Sequence, residues 1–114
     1  MDRERIVEMF SAFGAVDVRR MFGGAGIYAD GVMFALAHDD LIYLKTDDES
    51  RDAFAREGLG PFTYETRTGR HALTSYWRVP DRLYDDPDEL ARWATAALSV
   101  ARRAQVKPPR KRRQ

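Results

Sequence analysis

The amino-acid sequence predicts an α+β protein, a two-layer α/β sandwich with a mainly antiparallel sheet and the element order α-β-β-β-α-β-β-α. Amphipathic stretches with a helical period lie at both ends of the chain, and the segments between them are short and rich in β-branched and aromatic residues. Turn pairs such as Asp30-Gly31 separate these segments. The 114 residues, 44% of them hydrophobic, suffice for one domain with its own core.

The first helix is predicted over residues 2–13, because Ile6, Phe10 and Phe13 recur on one helical face. Gly14 is suited to end it. After Gly14 the pattern changes to the period of a strand. This change predicts an antiparallel meander of three strands, over residues 18–29, 32–38 and 41–46.

Three glycines, Gly23, Gly24 and Gly26, fall inside the first predicted strand. Residues 24–29 match the loose dinucleotide fingerprint G-x-G-x-x-G/A, which needs a helix after the glycines to receive a pyrophosphate. Here a hairpin turn follows at Asp30-Gly31, which leaves no room for that helix. The glycines therefore predict a bend, a bulge or a close backbone approach within a long strand, and no nucleotide cofactor.

A second helix is predicted to begin at Thr46, where the Thr46 hydroxyl and the Glu49 carboxylate fit a capping box. Gly58 is its predicted end. Alternating residues then predict a β-hairpin with a loop at Gly69 and strands over residues 62–66 and 72–79.

Alternation along the second hairpin strand sends Leu73, Trp77 and Val79 toward the core and leaves Tyr76 and Arg78 on the other face. An aromatic ring beside cations on an open sheet face can bind a nucleic-acid base or a partner chain. Ordinary cross-strand packing is the alternative interpretation of the same residues.

The last helix has the clearest local signal in the chain. Asp86 is an N-cap carboxylate, Pro87 occupies the first helical position and Glu89 closes the acidic first turn. The helix is predicted to end near Arg103. Its apolar face is formed by Leu90, Trp93, Ala94, Ala97, Leu98 and Ala101.

The charges are distributed unevenly along the chain. Seven of the nineteen Lys and Arg residues fall in residues 102–114, so residues 1–101 carry twelve basic against eighteen acidic side chains, a net charge of −6. We predict a domain over residues 1–104 and a basic, disordered tail over residues 105–114. The tail cations are candidates for non-specific contact with nucleic-acid phosphates, and a solubilising terminal segment is the alternative. These cations are Lys107, Arg110, Lys111, Arg112 and Arg113.

The chain contains no cysteine, which excludes disulfides and thiolate chemistry and fits a reducing compartment. The longest strictly apolar run covers residues 32–37, far short of the roughly 20 residues that span a bilayer. We therefore expect a soluble, cytoplasmic protein with no membrane partner.

Candidate catalytic and metal-binding residues are few. His38 lies beside two aspartates, but the two histidines fall in separate predicted turns without metal-ligand spacing. A Ser75-His71 pair lacks the glycines of a nucleophile elbow. We predict no catalytic residue, no metal site and no cofactor, and so a protein that is not an enzyme. The remaining carboxylate clusters open helices and are explained as caps: Asp47, Asp48, Glu49, Asp85, Asp86, Asp88 and Glu89.

Five segments in a fixed order, followed by the acidic-capped last helix, resemble the N-terminal domain of the TfoX/Sxy family of bacterial competence regulators. The resemblance covers roughly residues 5–101 and implies a fold similar to that of secretion chaperones. It also implies a transcriptional co-regulator of DNA-uptake genes without assigned catalytic residues, here in a stand-alone form. The segments are Arg20-Met21-Phe22-Gly23-Gly24, Tyr28-Ala29-Asp30-Gly31, Leu41-Ile42-Tyr43-Leu44-Lys45, Gly60-Pro61-Phe62-Thr63-Tyr64 and Tyr76-Trp77-Arg78-Val79-Pro80.

The predicted function is therefore that of a non-enzymatic regulatory or interaction domain. Its expected partner is a protein, with the transcription machinery and a second copy of the chain in a homodimer as candidates. The basic tail adds auxiliary nucleic-acid contact. The alternative is a small-ligand-binding or enzymatic domain that uses a cationic sheet face. The candidate partner or ligand face consists of Arg20, Phe22, Lys45, Tyr76 and Arg78.

Overall fold

A computed structural model describes residues 1–21 and 23–105 of the chain. Over these residues an antiparallel six-stranded sheet, in the order β1-β2-β3-β4-β6-β5, packs against three α-helices, which confirms the α+β class. A short 3-10 helix, Asp81–Asp85, precedes the last α-helix. The strands are β1 (Asp17–Met21), β2 (Gly24–Ala29), β3 (Val32–His38), β4 (Leu41–Lys45), β5 (Pro61–Thr66) and β6 (Gly69–Arg78), and the helices are α1 (Arg3–Met9), α2 (Arg51–Arg56) and α3 (Pro87–Gln105).

The predicted element order was one strand short. The single strand expected over residues 18–29 is two strands, β1 and β2, which pair antiparallel from Met21 opposite Gly24. The chain reverses at Gly23, whose φ of 74° lies in the left-handed region that glycine tolerates. Strand-like alternation continues on both sides of this reversal, so the sequence period alone reads the pair as one strand.

The expected close backbone approach is confirmed at Gly24. A Cβ atom at this position would collide with the carbonyl oxygen of Ala37 on β3. A bulge lies just beyond the glycines, where the β2–β3 register shifts between Ile27 and Tyr28. The glycine-rich stretch thus forms a hairpin and continues as a strand, without the helix that a dinucleotide site needs.

The first helix is shorter than the predicted 2–13. Asp2 caps α1 by accepting a hydrogen bond from the Arg5 amide at 2.9 Å, and regular α-helix ends at Met9. Beyond it the chain tightens into a turn in which the Phe13 amide donates to the Phe10 carbonyl at 2.9 Å. Phe10 stays fully buried, with its ring 5.6 Å from that of Phe34 on β3.

The capping box predicted at Thr46 was wrong. Thr46 is 3% exposed, and its hydroxyl donates to the Ser75 carbonyl on β6 at 3.2 Å. The turn before α2 is closed instead by Asp47, whose carboxylate accepts from the Ser50 amide at 2.8 Å. The Thr46 hydroxyl is therefore used in a tertiary hydrogen bond to β6 and not in capping α2.

The predicted start of α3 is confirmed, because the Asp86 carboxylate accepts from the Glu89 amide at 3.0 Å. The helix continues to Gln105, two residues past its expected end near Arg103. Ion pairs from Arg102 to Asp30 at 2.7 Å and from Arg103 to Asp47 at 3.1 Å hold this end against two loops.

The two faces of the sheet carry separate apolar clusters. All three helices pack on one face, around residues such as Phe34, Ile42 and Leu44. Trp77 and Val79 lie on this helix side, as predicted, whereas Leu73 packs in the cluster on the opposite face. The cause is a register shift between Pro61 and Phe62, where β6 has extra residues and its alternation changes side.

Candidate interaction site on the open sheet face

The sheet face opposite the helices, called the open face below, carries its own apolar cluster. Leu36, Phe62 and Tyr76 are 3%, 2% and 7% exposed, respectively. No helix contributes to this cluster within residues 1–21 and 23–105. The side chains that pack around it from the strands are Met33, Tyr43, Tyr64 and Leu73.

Aromatic rings organise the open face around Phe62. The Phe62 ring centroid lies 5.0 Å from that of Tyr43 and 5.2 Å from that of His38, both edge to face, and 5.8 Å from that of Tyr64, stacked. Such edge and stacked pairs are favoured by the ring quadrupoles. The face is consequently a packed surface of rings rather than a set of independent side chains.

Lys45 and Tyr76 lie opposite each other on β4 and β6. The Lys45 Nζ atom is 5.1 Å from the centroid of the Tyr76 ring, within the range of a cation–π contact. Burial lowers the pKa of Lys45. Burial, with a smaller contribution from Tyr28, raises the pKa of Tyr76 to about 12, so this phenol is neutral at physiological pH.

Arg78 lies opposite Tyr43 on the same two strands. Its Nη2 donates to the Asp81 carboxylate at 3.1 Å, while its Nε is buried without a hydrogen-bond partner among the described residues. Burial raises the pKa of Tyr43, and the positive charge of Arg78 opposes that shift. A buried unpaired donor costs about 1–3 kcal/mol, so the Arg78 Nε atom is a local cost to stability.

The predicted face is brought together only in part. Lys45, Tyr76 and Arg78 are neighbours on β4 and β6. Arg20 lies on β1, separated from β4 by β2 and β3, where it lines a groove of about 390 Å³ with the N-terminal residues. Phe22 lies outside the described residues. The predicted nucleic-acid tail, Lys107, Arg110, Lys111, Arg112 and Arg113, also lies outside them.

Sequence reasoning missed several residues of the open face. Arg19, rather than Arg20, reaches this face, with its guanidinium carbon 4.4 Å from the centroid of the Tyr28 ring. Tyr43 and Phe62 were assigned to strands but not to the site. Alternation along one strand shows which of its residues share a face. Which residues of β4 lie beside which residues of β6 depends on how the two strands pair, and the sequence does not show that pairing.

The open face offers little internal space. The cavity beside Leu36 and Phe62 has a volume of about 10 Å³, roughly the room of one water molecule. A larger apolar groove, about 280 Å³, lies between α2 and α3. Phe54 and Trp93 line it, with their ring centroids 4.9 Å apart.

The acidic residues near α3 form structural ion pairs. The Arg82 guanidinium binds Glu57 at 2.7 Å and Glu89 at 2.9 Å, and thereby joins the region after α2, the 3-10 helix and the start of α3. Its hydrogen bonds hold the pKa of both carboxyls below the usual value. Both groups are therefore ionised anchors and not proton donors near neutral pH.

The two histidines lie apart. His38 packs on Phe62, and His71 lies in the β5–β6 hairpin beside Thr66 and Thr68. Residues 1–21 and 23–105 contain no group of three or more His, Cys, Asp or Glu side chains placed to hold a metal ion. The helices within this described part of the chain are too short or too polar to cross a membrane.

Comparison with known proteins identifies relatives over most of the chain. The family model described as "TfoX N-terminal domain" matches residues 8–101. "Protein Sxy" of Escherichia coli strain K12 is 26% identical over 94 residues, which cover 82% of this chain and 44% of that protein. The chain thus spans less than half the length of this curated relative.

Proposed function

We propose, since this chain belongs to the TfoX N-terminal domain family, that it is a non-enzymatic regulatory domain that acts in competence-related transcription by binding a protein partner. The open face is the binding surface in this proposal. The alignment covers less than half of the Sxy protein, so the proposal is limited to binding by the residues of this chain.

One observation carries the proposal: two cations, Lys45 and Arg78, lie on neighbouring strands beside an aromatic cluster that no described helix covers. Rings and arginines are the residue types that contribute most to binding at protein interfaces. In the cross-strand pairs Lys45–Tyr76 and Tyr43–Arg78, each cation lies opposite an aromatic ring, so apolar surface and positive charge are adjacent. The chemistry that matches them is a protein segment that presents large apolar side chains flanked by carboxylates.

The partner contact is testable by site-specific crosslinking in the cell that makes the protein. A photoreactive amino acid replaces Lys45 on the open face or, as the control, Arg56 on α2, an exposed residue of the helix layer. We expect one protein to be captured from the Lys45 position and not from the Arg56 position. The purified partner should then bind the K45A/R78A variant at least tenfold more weakly than the parent, while the R56A/R92A variant binds normally.

Regulatory action has its own readout. Deleting the gene should change the levels of certain transcripts. We expect the same transcripts to change in the same direction in cells that carry the K45A/R78A variant at normal protein level. If the crosslink captures only a second copy of the chain, the open face is a homodimer interface and does not bind a different protein. Equal capture from both crosslinking positions would contradict a role for the open face.

The basic tail supplies auxiliary, sequence-independent nucleic-acid contact in this proposal. Removing residues 107–114 deletes five cations. The slope of log affinity for duplex DNA against log salt concentration should then decrease by at most about 4.5, since each neutralised phosphate contributes about 0.9. An unchanged slope in an anisotropy titration would exclude the tail from DNA contact.

Binding of a small apolar ligand is a second candidate function, favoured by the groove of about 280 Å³ between α2 and α3. Phe54 and Trp93 form its apolar wall, and Glu89 fixes the indole by accepting from its Nε1 at 3.3 Å. A ligand in this groove should quench the fluorescence of Trp93. The W93F variant, which keeps Trp77 as an internal reference, should show no such quenching.

A further inference from the structure

The β5–β6 hairpin extends beyond the rest of the sheet as a two-stranded ribbon. Residues 76–78 of β6 pair with β4, whereas residues 69–73 pair only with β5. Residues 65–72, at the far end, are all exposed. This end, called the ribbon tip below, therefore has free surface on both sides.

Polar groups at the ribbon tip are held in a fixed arrangement. His71 Nε2 lies 3.0 Å from the Thr66 hydroxyl and 3.1 Å from the Thr68 hydroxyl, and the two hydroxyls lie 2.9 Å apart. The imidazole stacks on the Tyr64 ring with centroids 5.5 Å apart. The Thr68 amide also donates to the Thr66 hydroxyl at 3.2 Å. These mutual contacts fix the positions of both hydroxyls and of the imidazole at the tip.

The ribbon is positive on a domain that is otherwise negative. Residues 66–78 contain three arginines and no acidic residue, whereas residues 1–101 carry a net charge of −6. Glu65 is the one acidic residue in residues 61–78, and its carboxylate pairs with Arg70 at 3.3 Å. Arg67, in the turn itself, is exposed and has no ion-pair partner among the described residues. The ribbon tip thus carries a net charge of +1, with Arg67 as its uncompensated cation and Arg70 shared with Glu65.

We propose that the ribbon tip is a DNA-binding arm that enters the major groove of duplex DNA and grips the flanking phosphates. The major groove admits a two-stranded β-ribbon. Arginine and threonine side chains are regular donors to phosphate oxygens, and two of each lie in or beside this turn. Residues 65–72 belong neither to the proposed partner contact at Lys45 and Arg78 nor to the basic segment 107–113, so the arm adds a function to those proposed above.

The salt dependence of DNA binding tests the phosphate contacts. The full-length chain, the R67A/R70A variant and the R56A/R92A control are titrated on a fluorescent mixed-sequence duplex at several salt concentrations. The control removes two exposed arginines from the helix layer. We expect the log–log slope to decrease by about 1.8 in R67A/R70A, because each lost phosphate contact is worth about 0.9. The control should keep the parental slope.

Groove entry has an independent readout. Guanine N7 lies in the major groove, so the parent should protect this atom from methylation and R67A/R70A should not. The T66V/T68V variant keeps side-chain shape but removes both hydroxyls, and it should weaken binding while it retains the arginine part of the slope. Circular dichroism and melting temperature confirm that each variant is folded.

Three outcomes would overturn the arm. These are an R67A/R70A slope equal to that of the parent, equal losses in R67A/R70A and R56A/R92A, or tighter binding to a single strand than to the duplex. Crosslinking from Lys45 separates this result from the proposed partner contact. If the open face binds its protein normally in R67A/R70A, a failure of the DNA arm leaves the partner proposal intact, and the reverse holds for K45A/R78A.

Discussion

At the scale of single residues, Gly24 and Tyr76 show how closely the sheet is packed. Gly24 permits β2 to approach β3, where a Cβ atom would collide with the Ala37 carbonyl oxygen. Tyr76 fills the centre of the open face and is almost completely buried. The packing at each residue can be tested by a substitution and a matched comparison.

The G24A substitution should destabilise the protein by about 2 kcal/mol, because the added methyl meets backbone that cannot rotate away. Gly60 is the matched control, since a Cβ atom there would have nothing within 4 Å. G60A should change the free energy of unfolding by less than about 0.5 kcal/mol. Urea unfolding measures both, and equal costs for the two variants would contradict the close approach at Gly24.

Tyr76 predicts a loss of stability in alkali. Its pKa is about 12 in the folded protein against 10.0 ordinarily, so the folded state retains this proton longer than the unfolded state. The resulting stability is complete below pH 10 and is lost as the pH rises to about 12, by up to about 3 kcal/mol. Y76F should flatten this decline in urea unfolding. Tyr43 and Tyr84, whose pKa values burial also raises, should leave part of it.

At the scale of secondary-structure elements, Arg82 connects three of them. It joins Glu57, after α2, and Glu89, in the first turn of α3, from its own place in the 3-10 helix. A central arginine with two partners gains more from each contact than an isolated surface pair, because one ordered side chain serves both. The network therefore links the end of α2 to the start of α3, beside the groove between them.

The R82Q substitution should lower the melting temperature and change its dependence on acid. Glu57 and Glu89 have lowered pKa values in the folded protein, so the stability they provide is present above their ordinary pKa of 4.5. It is lost as the pH falls through their lowered pKa values. In R82Q the acid decline should be shallower than in the parent. A parallel decline in thermal melts at pH 7 and at acid pH would contradict this assignment.

The sequence predicted correctly the elements whose hydrogen bonds are made within a few residues. Asp86, Pro87 and Glu89 were sufficient to place the start of α3 because an N-cap is satisfied within its own turn. Thr46 was misassigned because its hydroxyl is bound by Ser75, 29 residues away. The strand 18–29 was misread because Gly23 turns the chain without interrupting the alternation on either side.

The candidate site follows the same division. Alternation placed Tyr76 and Arg78 on the face away from Trp77. The structure confirms this for Tyr76, and it places Arg78 opposite Tyr43 of the open face. That these residues meet Lys45 depends on the pairing of β4 with β6, strands separated in the chain by α2 and β5. Leu73 was placed on the wrong face because the β5–β6 bulge is a property of the pair and not of either strand.

At the scale of the whole molecule, charge and shape divide the functions. The acidic body repels a polyanion, while the arginines of the ribbon tip extend beyond it. The open face lies on the sheet itself, at the base of that ribbon. The two proposed sites would thus let one small domain hold a protein partner and a DNA duplex through different residues.

The open face also has a thermodynamic consequence, because one layer of strands separates it from the interior. Leu36 belongs to the open-face cluster, while Ala35 and Ala37 beside it belong to the core under the helices. A molecule bound on this face adds a third layer to the sheet and helices, over a cluster that no helix within residues 1–21 and 23–105 covers. Occupancy and heat resistance should therefore increase together, with a partner at a hundred times its Kd adding about 2.7 kcal/mol to the free energy of unfolding.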